Sequence, residues 1–423
     1  MTSQLNRRQF LEATAATGLG LGAGGYLARA AGANERIVLA VMGTNGRGID
    51  LAKGFSRQPG TQVAFICDVD SRAIAKGIKA ANGSQREEPA GVGDFRKILD
   101  DKSVDALVIA APDHWHAPAT ILACSAGKHV YVEKPCCHNP REGDWMIQAA
   151  RKNNRVVQMG NQRRSFEKFI EGMQQIREGA IGRAYYARCG YNNSRKSIGT
   201  GKKAQIPTWL NFDLWQGPAP RRDFHDNLVH YNWHWFWHWG TGELGNNGIH
   251  SIDVCRWGLG VTFPTRVTSS GGRYHFQDDQ QTPDTHIVSF EFEDRKAIMW
   301  ECRSCNAYKM DAISFHGDQG SLVMNEGGYT LFDLKGKEVK KITGPGSEAS
   351  HFQNFLDCIR SGRRPNADIE DGFQSTLLCH LGNIAHRTGR TLKCDPKTGY
   401  ILDDKDAMAL WGRDYEKGWE PRV

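Results

Sequence analysis

The stretch Ile37-Val38-Leu39-Ala40-Val41-Met42-Gly43-Thr44-Asn45-Gly46-Arg47-Gly48 decides how this chain reads. Six apolar residues in succession suit a strand buried on both faces of a parallel sheet, and a helix is predicted from about Ile49 to Arg57. Strand, glycine turn and helix together open a dinucleotide-binding unit. Gly43, Gly46 and Gly48 let the backbone turn tightly and approach a pyrophosphate, whose charge is met by N–H groups at the helix start, beside Arg47. The second glycine position of the fingerprint holds Asn45, a residue that tolerates positive φ, so the turn survives but the closest approach to phosphate loses a glycine.

Outward from that turn the α/β alternation continues. A strand from Gln62 to Cys67 ends at Asp68, about 20 residues after the last glycine, where a carboxylate accepts hydrogen bonds from ribose hydroxyls and repels a 2′-phosphate. NAD is the expected cofactor, and Arg72 keeps NADP open because a guanidinium pairs with phosphate. The next strand, Ala106 to Ala111, runs into a loop Pro112-Asp113-His114-Trp115-His116-Ala117-Pro118, ahead of a helix from Ala119 to Ala126. Asp113 suits a helix cap or a cofactor contact, His114 suits solvent or cofactor, and Trp115 and His116 border the nicotinamide half. The strand Val130-Tyr131-Val132 then delivers an acid, a cation and a proline, Glu133-Lys134-Pro135, at its carboxyl end. A helix from Pro140 to Asn153 and a strand from Val156 to Met159 lead to Asn161-Gln162-Arg163-Arg164.

The chain has 423 residues, more than one hydrophobic core usually organises, so two domains are expected. It opens with Asn6-Arg7-Arg8-Gln9-Phe10-Leu11 and a run of small residues from Ala13 to Leu27, which reads as a twin-arginine export signal over residues 1–33. The alternative, an ordinary amphipathic helix, is disfavoured by Gly18, Gly20, Gly22, Gly24 and Gly25, each costing roughly 1 kcal/mol in a helix interior. A periplasmic location, partnership with the export machinery and a tightly held cofactor follow as expectations. Residues 1–33 hold three arginines and one glutamate, so the formal charge of +7 falls to +5 without them. That mild balance, with no Lys or Arg run interleaved with aromatics and with Arg163-Arg164, Arg221-Arg222 and Arg363-Arg364 as isolated pairs, gives no reason to expect nucleic-acid binding. No stretch has the roughly 20 apolar residues of a stable membrane span. The eleven cysteines form no regular framework and read mostly as small buried hydrophobes, Cys302 and Cys305 included.

In its order of glycine turn, Ile66-Cys67-Asp68-Val69-Asp70, Ala111-Pro112-Asp113-His114-Trp115-His116, Glu133-Lys134-Pro135 and Gly160-Asn161-Gln162, the chain resembles the Gfo/Idh/MocA family of glucose-fructose oxidoreductase and inositol dehydrogenase. Trp215-Gln216-Gly217-Pro218-Ala219 and Asn354-Phe355-Leu356-Asp357 extend the resemblance over nearly the whole chain past residue 33. It implies an N-terminal Rossmann domain (34–160) and a C-terminal α+β domain on an open, mainly antiparallel sheet (161–394) that carries substrate and oligomer contacts; the tail (395–423), with Trp411, Tyr415 and Trp419, reads as a docking arm. It further implies cofactor contacts from Pro112, Asp113, Trp115, His116, Glu133, Lys134 and Gln162, with Lys134 touching both nicotinamide ribose and substrate hydroxyl. A homodimer or homotetramer is expected.

A second block, Gly245-Asn246-Asn247-Gly248-Ile249-His250-Ser251-Ile252-Asp253, is predicted to lead into a helix with Asn246 and His250 on one face and Asp253 three residues on. A neutral His250 is the candidate base, and Asn246 stands where inositol-dehydrogenase-like members usually carry an aspartate. Between the blocks lies His230-Tyr231-Asn232-Trp233-His234-Trp235-Phe236-Trp237-His238-Trp239, a cluster suited equally to core or to the apolar faces of a sugar. Trp233, His234, Trp235, Arg163 and Tyr191 join Lys134 and His250 as candidate substrate contacts. His230, His234 and His238 recur at four-residue spacing without neighbouring acids, so no metal site is expected. The expected function is NAD(P)-dependent oxidation of a secondary hydroxyl on a sugar, sugar acid, cyclitol or glycoside. The alternatives are redox-assisted glycoside hydrolysis or elimination, and a noncatalytic carbohydrate sensor.

Overall fold

The computed structural model describes residues 36–310 and 313–423, and the predicted export signal at residues 1–33 lies outside them. The first domain holds β1 (Ile37–Met42), β2 (Thr61–Cys67), β3 (Ala90–Val92), β4 (Ala106–Ile109), β5 (His129–Val132) and β6 (Val157–Met159) in one sheet of order β3-β2-β1-β4-β5-β6. All its pairings are parallel. Helices α1 (Arg47–Ser56), α2 (Ser71–Asn82), α3 (Asp113–Ser125) and α4 (Pro140–Lys152) make the crossovers. Successive side chains of β1 feed opposite cores: Leu39 and Val41 pack with Leu51 and Phe55 of α1, and Ala40 and Met42 face the layer that includes Ala119 and Met146. The strand order reverses between β1 and β4, which opens a crevice at their carboxyl ends.

The second domain contributes α5 (Glu167–Arg177), β7 (Ala184–Asn192), α6 (Ile249–Leu259), β8 (Arg266–Gly272), β9 (Thr285–Phe292), β10 (Lys296–Arg303), β11 (Ile313–Gly317), β12 (Gly320–Asn325), β13 (Gly328–Asp333), β14 (Glu338–Thr343), α7 (Glu348–Ser361), α8 (Ile369–Thr388), β15 (Leu392–Cys394) and β16 (Ile401–Leu402). Its ten strands run β14-β13-β12-β11-β7-β10-β9-β8-β15-β16, antiparallel except between β7 and β10. Ile298, Trp300 and Cys302 alternate with half-buried neighbours along β10, the period of a strand with one face packed. The two domains share core: Phe352 and Phe355 of α7 pack against Phe55 and Tyr131 of the first domain, with ring centroids 4.6 to 6.1 Å apart.

Two local expectations change. The predicted loop from Pro112 to Pro118 is the opening of α3, with Pro118 inside the helix. Proline removes the bond its N–H would make to the carbonyl four residues back, and that carbonyl, His114 O, accepts from Arg413 Nη2 at 2.8 Å instead. At the glycine turn the positive φ falls on Gly43 (86°) and not on Asn45. Residues 395–423 supply β16 and then cross to the first domain, where Arg413 and Tyr415 reach Glu142 at 2.8 Å and Trp419 meets Trp115 edge to face at 5.1 Å. All eleven cysteines are free thiols, and every one except Cys305 is buried. Among the described residues no helix is long and apolar enough to cross a membrane.

Several buried histidines weaken this fold in acid, His351, His380 and His286 among them. Burial holds the imidazoles of His351 and His380 down to about 4 and that of His286 to about 3. The unfolded chain takes up these protons near pH 6.5 while the native chain refuses them, so stability falls with pH by roughly 1.4 kcal/mol per unit for each histidine. The melting temperature should drop steeply between pH 6.5 and about 4, and His351→Gln should flatten part of that slope. Calorimetry across that range reads it.

Candidate active site

The crevice between β1 and β4 is a cavity of about 580 Å³, lined by both domains. From the first domain come Gly43, Asn45, Gly46, Arg47, Asp68, Pro112, Asp113, Trp115, His116, Glu133 and Lys134; from the second come Gln162, Trp233, His234, Asn246 and His250. Gly43 is confined, since a Cβ there would lie 2.5 Å from Ala111 N, whereas a Cβ on Gly46 would meet nothing within 4 Å. Helix α1 starts beside Gly46 with no side chain capping it, which leaves its N-terminal N–H groups to an anion in the cavity. Gly48 completes the turn by close packing instead, its Cβ position lying only 1.7 Å from Gly43 O. A dinucleotide pyrophosphate suits this cradle. Asp68 borders it, its carboxylate accepting from Thr44 N at 2.6 Å and Asp70 N at 2.9 Å, and burial raises its pKa.

Lys134 is the centre of the polar network. Its Nζ donates to Asn246 O at 2.7 Å and Asn246 Oδ1 at 2.9 Å, so a first-domain ammonium is held by a second-domain residue. Burial lowers the Lys134 pKa, against the pull of Glu133, Asp113 and Glu243. Glu133 in turn accepts from Arg47 Nε at 2.8 Å, and burial raises its pKa less than Arg47 and Lys134 lower it. Arg47 also forks onto Glu348 of α7 at 2.8 and 3.1 Å. Asp113 accepts from Thr241 Oγ1 at 2.6 Å, and its burial pushes its pKa up. The ring nitrogens of His116 face Pro135 O and Ala111 O at 2.6 and 2.7 Å.

Asn246 stands in a single π-helical turn, Leu244–Gly248, in which the Ile249 N–H reaches back five residues to Leu244 O before α6 begins. Such wide turns collect at functional sites because they re-aim side chains. Here both Asn246 and His250 line the cavity. Burial, then the charge of Lys134, holds the His250 pKa well below its ordinary value, so the ring is neutral near pH 7. Trp233 and His234 stack face to face at 3.5 Å, and His234 Nδ1–H donates to Tyr231 O at 2.5 Å.

Four expected site residues point elsewhere. Asp253 is 1 % exposed and forms a two-pronged pair with Arg164 at 2.8 and 2.9 Å, with Ser375 Oγ donating at 2.6 Å. Three residues along a helix is not enough to keep it on the face of His250 once Arg164 captures it. Trp235 is buried beneath the Arg195 guanidinium, 4.8 Å away. The Tyr191 hydroxyl accepts from Asn193 Nδ2 at 2.6 Å, and Arg163 pairs with Glu326 at 3.2 Å. None of these four lines the cavity. His114 is buried and donates to Trp215 O at 2.9 Å, and is not solvated. Conversely His230, Tyr231, Leu214 and Trp215 border the cavity without having been singled out. The aromatic cluster was the signal available for the first two, but its alternation does not say which rings turn inward. Its histidines separate, His230 to Asp70, His234 to Tyr231 O and His238 to Pro220 O.

Residues 37–161 match the family described as "Oxidoreductase family, NAD-binding Rossmann fold", and residues 187–420 match its "Oxidoreductase family, C-terminal alpha/beta domain". The chain belongs to the Gfo/Idh/MocA oxidoreductase family. The matched N-terminal domain is an NAD-binding one, and the cradle around Gly46 fits that cofactor. A "Glycosyl hydrolase family 109 protein" of Saccharopolyspora erythraea is 25% identical over 51% of this chain, which spans about half (53%) of that relative's length. A protein of the same name from Parabacteroides distasonis is 22% identical over 91% of this chain and 95% of its own. "Inositol 2-dehydrogenase 2" of S. erythraea is 23% identical over 78% and 87%. The fold is also that of levoglucosan dehydrogenase in complex with NADH and levoglucosan, at TM-score 0.66 and 18% identity over 85% of this chain and 99% of that one.

Replacing Asp253 separates packing from chemistry. Asp253→Asn leaves the buried Arg164 guanidinium with only the half-exposed Asp371, 3.5 Å away, as counter-charge and should cost about 3 kcal/mol of stability. Urea unfolding measures that loss, and NAD titration of the folded fraction should show affinity near that of the parent chain.

Proposed function

We propose that this protein oxidises a secondary hydroxyl of a sugar, sugar acid, cyclitol or glycoside with tightly held NAD. The convergence of Lys134, Asn246 and His250 in one cavity with the glycine turn and Asp68 carries this reading. NAD bound there supplies the acceptor for the hydride leaving the carbinol carbon. Lys134 offers a fixed cation to the oxygen as alkoxide character grows, and Asn246 keeps that ammonium aimed without neutralising it. His250, neutral through burial and the nearby cations, accepts the hydroxyl proton. With Asn246 in place of an acid, no carboxylate at that position raises the His250 pKa. The stacked Trp233 and His234 give the cavity a flat wall of the kind that receives the C–H face of a sugar ring.

The test is a carbohydrate and polyol panel followed at the absorbance of reduced nicotinamide. Lys134→Ala should lower turnover by at least about 100-fold while the protein stays folded, and His250→Gln by a similar factor. Unchanged turnover in either variant removes that residue from the reaction. A second reading, redox-neutral cleavage of a glycoside in which oxidation is transient, draws support from the family 109 relatives, one matched over 95% of its length. Release of a free sugar without net cofactor reduction would establish it over simple dehydrogenation.

Export to the periplasm is part of the proposal and rests on Arg7-Arg8 and the glycine-rich run that follows. Arg7→Lys with Arg8→Lys should retain the protein in the cytoplasm on fractionation. An unaltered distribution would dismiss export by this route.

A further inference from the structure

The loop that follows β2 decides which cofactor corner a cation can reach, and here its arginine is bound twice. Arg72 Nε and Nη2 donate to the two carboxylate oxygens of Asp70 at 3.1 and 2.9 Å. Its guanidinium carbon lies 3.4 Å from the ring centroid of Trp209, a close stack. Asp70 is completely buried, also accepts from Arg72 N at 2.8 Å, and faces His230 Nε2 at 2.9 Å. Burial alone would raise its pKa, but its bonds to Arg72 and His230 bring it down to about 2, so it remains a carboxylate at any working pH.

The clamp comes from the second domain. Trp209 O accepts from Ser71 N at 3.0 Å, Asn211 N donates to Val69 O at 2.9 Å, and Leu210 pairs with Asp70 as a short antiparallel bridge. Asp68, Val69 and His230 therefore line the cavity, and Arg72 does not. A 2′-phosphate on the adenosine ribose would add a dianion beside Asp68 while the guanidinium of this loop is held by Asp70 and Trp209.

We propose that Asp70 and Trp209 enforce the choice of NAD over NADP by withholding Arg72, a selectivity device built by the second domain around an arginine that would otherwise serve the phosphate. It rests on the cavity being the cofactor site. The device acts on binding, so calorimetric titration with NAD and with NADP reads it without any substrate. The parent chain should bind NAD at least about tenfold more tightly than NADP, the scale of one charge-assisted contact. Trp209→Ala, which unstacks the guanidinium, should tighten NADP binding by about five- to tenfold and narrow the ratio of the two dissociation constants accordingly. Adding Arg72→Ala to that variant should erase the gain, whereas Arg72→Ala alone should leave the ratio where the parent has it. Asp70→Asn repeats the test from the other side of the clamp. The proposal is overturned if Arg72→Ala alone weakens NADP binding, if Trp209→Ala leaves NADP affinity unchanged, or if the parent prefers NADP. Binding of neither dinucleotide would overturn the cofactor site itself, a distinct result.

Discussion

A buried ammonium has to be satisfied, and Lys134 is satisfied only where two domains meet. Isolated in a low-dielectric interior, such a charge costs several kcal/mol after relaxation. Glu133 beside it belongs to the first domain, but the carbonyl and amide oxygens that take its protons belong to Asn246 of the second. The neighbouring chain from Glu133 through Arg47 to Glu348 crosses the same boundary. The site is therefore a property of the junction, and neither domain holds it alone.

Most of the first domain was legible because its signals are local. A fully buried parallel strand needs a continuous apolar run, and the turn after β1 needs residues free of a Cβ where backbone crowds, so both leave a mark in adjacent residues. The antiparallel strands β9 and β10 were equally readable from their alternation. What remained hidden depends on distant partners. Asp253 was placed with His250 by helical spacing, but Arg164 and Ser375 determine where its carboxylate goes. The start of α3 was hidden by Pro118, whose effect is cancelled by an arginine nearly 300 residues later.

The aromatic segment shows the same limit. Trp233 and Trp235 stand two apart, yet one lines the cavity and the other is buried under Arg195. In a strand, residues two apart share a face, but these belong to a short 3₁₀ turn where that rule lapses. Sequence could nominate the cluster as a binding surface or as core, and the cluster divides between cavity lining and core. The segment before it, around Trp209 to Asn211, does for the β2 loop what Asn246 does for Lys134: it supplies from the second domain a partner for polar groups of the first.

Arg413 and Trp419 lie within the last dozen residues and are paired to His114 and Trp115. During synthesis, then, the helix that frames the cofactor crevice emerges early from the ribosome with a bare carbonyl and an uncovered indole. It gains these partners only after about 300 further residues have followed, so a nascent chain presents a sticky, incomplete helix through much of its translation.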